Sequence, residues 1–243
     1  MRIYTLSKRC AKEILRDPIN LGFGLGFPVI LLLLLSLMQS NIPVDMFKIE
    51  SLAPGIGVFG LSFLTLFSAT LVAKDRENAF TQRLYTAPIK PYEFILGYIL
   101  PLIPIAVGQS AVTYLISVPL GLPLSVNIIF AVLMAAPISV FYISVGLLCG
   151  SVLGVKQVGG ICGALFTNVS AWLSGVWFDL SLLGGTLERI ARFLPFAHAV
   201  EIEKMLVKGD TAGILSHVLP VLAYAVITVG LAVLLFFRQM KKR

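Results

Sequence analysis

Charge is what this chain has least of. Asp, Glu, Lys and Arg make up 13% of its 243 residues, against roughly 25% in a soluble domain. With 58% hydrophobic residues and a mean hydropathy of +0.94, the composition is that of a membrane protein. The net charge of +7 therefore does not point to nucleic acid. The basic residues lie between and beside apolar segments, where they set orientation in the bilayer and meet anionic lipid. Cysteine is scarce as well. Cys10, Cys149 and Cys162 have neither metal-ligand spacing nor the makings of a disulfide framework, and their apolar neighbours mark them as buried, inert thiols. His198 and His217 are the only histidines, and both read as loop or interfacial residues.

Signatures of chemistry are missing too. No G-x-x-x-x-G-K-[ST] run is present, and the glycine-rich stretch 154–163 lacks the lysine placement that cradles phosphates, so the chain does not bind ATP in the usual way. There is no H-E-x-x-H, no Ser-His-Asp order and no paired carboxylate beside an apolar pocket. These absences argue against an enzyme and against a bound metal or cofactor.

What the chain does have is apolar length. Six segments, 20–38, 52–73, 94–119, 126–153, 158–177 and 214–237, approach or exceed the ~20 residues needed to cross a bilayer. None holds an Asp, Glu, Lys or Arg. Ion-driven carriers need such groups to bind and release the driving ion, and many show internal repeats, which are not visible here. The fold class predicted is all-α: a polytopic membrane protein of six transmembrane helices forming one transmembrane domain, 1–243. Gly22, Gly24 and Gly26 give the first span a face for close helix contact. Pro101 and Pro104 predict a kink or break early in the third. Gly159-x-x-x-Gly163 in the fifth is a helix-packing motif, serving one chain or a seam between two.

The polar segments are patterned. In residues 1–18, Ile3, Leu6, Cys10 and Ile14 share one face and Arg9, Lys12 and Arg16 the opposite one, which suits an amphipathic interfacial helix on the inner leaflet. Asp17-Pro18 breaks it. A signal peptide does not fit, because the charged leader is long and Met38 and Ser40 make no small-x-small site before Asn41. In the loop 178–213, Thr186 can cap a short helix with Glu188 in its first turn and Arg189 and Arg192 later, stopped by Pro195. A second short helix, about 199–208, ends at Gly209. Both are expected on, or dipping into, the outer face.

Basic residues decide the orientation. With the N-terminus inside, the inner segments hold fourteen: Arg2, Lys8, Arg9, Lys12, Arg16, Lys74, Arg76, Arg83, Lys90, Lys156, Arg238, Lys241, Lys242 and Arg243. The outer segments hold five: Lys48, Arg189, Arg192, Lys204 and Lys208, the last four offset by Asp179, Glu188, Glu201, Glu203 and Asp210. The positive-inside rule then puts both termini, and residues 75–91, in the cytoplasm.

That inner stretch is the most polar run between two long apolar segments. On a helix, Phe80, Leu84 and Ala87 fall on one side, flanked by Arg76 and Arg83, and Asn78, Thr81, Gln82 and Tyr85 fall on the other. Pro88 and Pro91 end it. Such a helix either anchors the loop in the interface or docks a cytoplasmic partner. Three classes fit the whole pattern: a passive channel or membrane scaffold, a membrane enzyme with an unmarked site, or the membrane subunit of a transporter powered by a separate ATPase. A cytoplasmic amphipathic helix between spans two and three favours the third.

At residues 75–100, DRENAFTQRLYTAPIKPYEFILGYIL, the chain resembles the permease subunits of ABC transporters of the type-2 exporter group. The resemblance rests on Asp75-Arg76-Glu77, Leu84, Thr86-Ala87-Pro88, Glu93 and Gly97 in order. SGVWFDL at 174–180 and FLPFAHAVE at 193–201 extend it. Ala79-Phe80-Thr81-Gln82 stands where the family commonly has Gly-Thr-x-Glu, a departure that bears on partner choice. The resemblance implies a coupling helix at 75–91, with Arg76, Glu77, Phe80, Thr81, Arg83, Leu84 and Ala87 meeting a cytoplasmic ABC ATPase that holds ATP and Mg. It implies a second permease protomer, identical or different, and a substrate path lined by spans two and five. Polar candidates there are Ser62, Thr65, Ser68, Thr167, Asn168, Ser170 and Ser174, for which helix–helix hydrogen bonding is the alternative role. A path without charge suits a drug, an antimicrobial peptide or a lipid-like cargo in the cell membrane.

Overall fold

The computed structural model describes residues 2–41, 48–78 and 90–241, and all the secondary structure among them is helical. A long central helix organises the rest. Helices α3 (Ile49–Leu61) and α4 (Phe63–Glu77) form an almost continuous 29-residue path from Ile49 to Glu77, and it is the most buried of the long apolar helices. The span expected at 52–73 is longer than the sequence suggested. It is also interrupted at Ser62, whose hydroxyl donates to the Phe59 carbonyl at 2.6 Å. Its C-terminal end does not stop at Ala73 because the polar residues that follow are held by partners rather than released to water.

Around this spine pack α1 (Arg2–Leu15), α2 (Pro18–Asn41), α5 (Pro91–Ile99), α6 (Leu102–Ser117) and α7 (Asn127–Val152). Helix α1 buries Leu6, Cys10 and Ile14, three of the four residues the spacing predicts. Leu6 lies so close over Gly97 that a Cβ there would collide with it. The third span breaks between Ile99 and Leu102, at Pro101, which offers no N–H to the carbonyl four residues back, while Pro104 lies in the first turn of α6.

The tightest packing is between α4 and α7. Gly146 and Gly150 press their backbone against Thr65, Ser68 and Ala69, leaving no room for a side chain. The Thr65 hydroxyl donates to the Tyr142 carbonyl at 2.9 Å, and the Ser68 hydroxyl is shared between the carbonyls of Leu64 at 2.8 Å and Ile143 at 2.9 Å. Small residues allow close backbone approach, and hydroxyls then join the helices. Of the glycines singled out from sequence, a Cβ added at Gly163 would lie 3.2 Å from Leu66 and one at Gly24 would collide with Phe67, whereas a Cβ at Gly22, Gly26 or Gly159 would meet nothing within 4 Å.

The segment expected at 158–177 as a fifth span is built in pieces: α8 (Val155–Val158), a π-helix (Gly159–Phe166) and α9 (Thr167–Trp172). Gly159, Gly160, Gly163 and Ala164 crowd this backbone little, and the Thr167 hydroxyl closes the wide turn on the Cys162 carbonyl at 3.0 Å. Five helices among the described residues are long and apolar enough to cross a membrane, and this segment is not one of them.

After a 3-10 turn (Leu180–Leu183) come α10 (Gly185–Phe193), α11 (Pro195–Lys208) and α12 (Leu215–Lys241). Thr186 is not the cap of α10: Gly184, at φ 62°, precedes the helix, and no side chain caps it. Pro195 does stop α10 but also opens α11, which therefore begins four residues earlier than expected. Gly209, at φ 76°, closes α11 in the left-handed conformation that glycine tolerates. Helix α11 does more than rest on the surface of the bundle. Phe196 stands among Phe141, Tyr142 and Phe166 with ring centroids 5.7 to 6.2 Å away, so the helix is wedged into the bundle between α3, α7 and α12.

Candidate functional site

Four consecutive residues end the central helix: Lys74, Asp75, Arg76 and Glu77. Successive helical residues point about 100° apart, so four in a row address every side of the helix. Here each one finds a different element. Lys74 Nζ pairs with Asp17 Oδ2 at 3.2 Å, at the junction of α1 and α2. Asp75, only 1% exposed, takes both Nη groups of Arg9 from α1, one at 2.6 Å, and also accepts the Tyr98 hydroxyl from α5. Arg76 Nη1 donates to the carbonyls of Gly150 at 2.7 Å and Leu153 at 3.2 Å, at the C-terminus of α7. Glu77 Oε1 accepts the Val155 N–H at 3.0 Å, the first of α8.

The last two contacts are complementary. A helix C-terminus leaves carbonyls without partners and carries partial negative charge, which a guanidinium satisfies. A helix N-terminus leaves N–H groups without partners, which a carboxylate satisfies. Arg76 and Glu77 thus clamp both sides of the turn between α7 and α8.

The charges around the node respond to it. The hydrogen bond to Asp75 raises the pKa of Arg9, against the opposing effect of burial. Burial pushes the Glu13 carboxyl up, only partly offset by Arg9 4 residues earlier. Burial also acts on Asp17, but hydrogen bonds from Asn20 and Lys74 outweigh it and hold that carboxyl low.

The sequence-predicted residues are distributed as follows. Arg76 and Glu77 sit at the expected inner end, with their side chains turned onto their own chain. Phe80, Thr81, Arg83, Leu84 and Ala87 lie outside the described residues. Ser62, Thr65 and Ser68 are each 0% exposed. Thr167, Ser170 and Ser174 are buried as well, with Ser170 and Ser174 bonded to carbonyls three residues back. Asn168 alone of the seven faces outward, its amide donating to the Ala164 carbonyl at 2.8 Å.

Two buried carboxylates were missed as interior groups. From sequence Asp75 opens the amphipathic helix at 75–91, beyond the span that ends at 73, and Glu203 is one of the acids offsetting the outer basic residues. Glu203 is 2% exposed and accepts the Tyr114 hydroxyl at 2.7 Å. A signal was present. Phe196, Ala199, Glu203 and Leu206 fall at helical spacing, so Glu203 lies in the apolar stripe of α11. Asp75 likewise continues the buried row of Ser68 and Leu71. His198 and His217, which read as loop or interfacial residues, meet, with Nδ1 atoms 2.9 Å apart.

Long apolar helices and a polar node at one end of the bundle define a multi-pass membrane protein. A family model for the ABC-2 type transporter matches residues 1–203, and the chain belongs to that family as a transmembrane permease. No curated protein matches the chain. Permeases of this family are in general non-enzymatic and work with an ABC ATPase.

Proposed function

We propose that this chain is the permease of an ATP-driven exporter in the cell membrane, and that residues 75–91 receive the stroke of a cytoplasmic ATPase. The observation carrying the proposal is the node at Lys74–Glu77. It stands immediately before the amphipathic stretch and fastens α1, α2, α5, α7 and α8 to one point. Phe80 and Leu84 would seat in the ATPase, with Thr81, Arg83 and Ala87 beside them. Arg76 and Glu77 would act by passing the movement inward instead of by pairing with the ATPase. In this reading residues 155–172 form the sixth crossing. At the α-helical rise of 1.5 Å per residue an 18-residue segment is at most roughly 27 Å long, and the wider π-helical turns shorten it, so it spans most of the hydrocarbon thickness. Six crossings put both termini in the cytoplasm, as the basic residues require.

Two permease chains, identical or different, would enclose the cargo. The outward side of 155–172, with Asn168, Leu165, Val169 and Trp172, is the surface we assign to that path. The buried hydroxyls of Ser62, Thr65, Ser68, Thr167, Ser170 and Ser174 support it from behind. Beyond Lys156 and Gln157 at its start, an exposed wall that is apolar except for Asn168 fits a drug, an antimicrobial peptide or a lipid-like molecule. The test is co-purification with the ATPase, followed by a screen for compounds that raise its ATP turnover. Phe80→Asp with Leu84→Asp should abolish that stimulation in a chain that still inserts, and normal stimulation by this variant would refute the assignment.

A further inference from the structure

Helix α1 carries a third face that neither the bundle nor the node uses. Its buried face is Leu6, Cys10 and Ile14. Beside that face lie Tyr4, Ala11 and Leu15, with Tyr4 70% and Leu15 68% exposed. Beyond them Lys8, Lys12 and Arg16, all exposed and spaced i, i+4, i+8, form a basic stripe. The apolar face does not stand alone. Together with Leu100, Pro101, Pro104 and Ile105, at the break in the third span, it encloses a groove of about 490 Å³. A second hollow of about 460 Å³ runs along the basic stripe. Lys8 lines both.

The far wall of the groove is the break in the third span. Proline has no N–H, so Pro101 cannot close the helical bond to the Gly97 carbonyl, nor Pro104 the bond to the Leu100 carbonyl. An apolar trough with a cationic rim matches one occupant by charge and shape. We propose that this groove holds an anionic phospholipid of the inner leaflet, with an acyl chain along Leu15, Leu100 and Ile105 and the phosphate on Lys8 and Lys12. The lipid would then brace α1 against the hinge at Leu100–Pro101. Since Arg9 of the same helix is bonded to Asp75, the brace bears on the node.

The test uses the full chain reconstituted in phosphatidylcholine vesicles containing a minor fraction of phosphatidylglycerol with a diazirine in its acyl chain. The control carries the same diazirine chain on phosphatidylcholine. Cross-linked peptides are mapped by mass spectrometry. Phosphatidylglycerol should label peptides of 2–15 and 100–105 selectively. Lys8→Gln with Lys12→Gln should lower that labelling, roughly fivefold per lysine, and leave labelling of 215–238 unchanged. Ile105→Trp, which fills the trough and keeps both lysines, should also remove it. Equal labelling by the two lipids, or selectivity that survives the lysine changes, overturns the proposal. So does loss of labelling on adding the ATPase, which would assign the stripe to a protein partner.

Discussion

Removing either member of the Arg9–Asp75 pair should damage the protein to different degrees, and the difference tests whether the node is a buried latch. Asp75 is 1% exposed, whereas the Arg9 side chain keeps 35% of its surface in contact with solvent. Replacing Arg9 by Met strands a carboxylate that only the Tyr98 hydroxyl still serves. Breaking a buried pair by removing one partner costs about 3–5 kcal/mol, and partial exposure of Arg9 places this case at about 3 kcal/mol. Replacing Asp75 by Asn leaves a guanidinium that can turn to water and keep its bridge to Glu13 at 2.8 Å. The loss is then that of charged hydrogen bonds, about 1.5–2 kcal/mol.

The double variant should cost less than the sum of the two, because with no carboxylate to strand, the methionine is only a packing change. Detergent-solubilised protein unfolded in increasing SDS measures these differences, and hydrogen exchange over 2–15 locates them. A coupling of about 1 kcal/mol or more between the two sites is expected. Additive effects, or an Asp75→Asn cost equal to that of Arg9→Met, would refute the latch.

Other consequences are sharper in location than in size. Gly150→Leu should collapse the yield of folded protein, because its Cβ would strike the Ala69 backbone, while Gly159→Leu, facing open space, should be tolerated. Size-exclusion chromatography separates these outcomes. Glu77→Ala should speed hydrogen exchange at 155–158 by removing the acceptor for Val155 N–H, a loss of about 1 kcal/mol, whereas Glu77→Gln keeps an acceptor and should not. His198 is held below its ordinary pKa of 6.5 by burial and by His217, against the opposing pull of Glu201. A group depressed in this way stabilises the fold while neutral. The α11–α12 contact should therefore weaken as pH falls through about 6.5, and His198→Asn should flatten that dependence in an exchange experiment over 198–217.

How much was legible in the sequence depended on the scale of the force that set each feature. Five spans, the break at Pro101 and the buried face of α1 follow from apolar length, a missing N–H and i, i+4 spacing, and these signals are local. The close contact at Gly146 and Gly150 was passed over, although it is a small-x-x-x-small pair like Gly159 and Gly163. Nothing within one helix says which of two such pairs another helix will choose. Arg76 and Glu77 looked like cations and anions awaiting a partner chain. Only the arrival of the α7–α8 turn, some 75 residues on, shows that their partners are backbone groups. Asp75 and Glu203 were misplaced because a lone carboxylate was assumed to seek water, although each sat in an apolar stripe.

These contacts divide the central helix at Ser62. Below it, α4 is fixed by hydroxyls to the α7 backbone and by the node to α1, α5 and α8. Above it, α3 packs chiefly on α2, α6 and α11, and the Tyr114–Glu203 bond joins α6 to α11. Each half thus has its own polar fastening, while α7, packed on α4 and also on α6 and α11, ties the two together. The Ser62 turn lies where α-helical pairing gives way to the i, i+3 bonds of Ser62 N–H to Phe59 and Thr65 N–H to Ser62, each 3.1 Å long. The interruption at Ser62 therefore falls where the spine changes the helices it packs against.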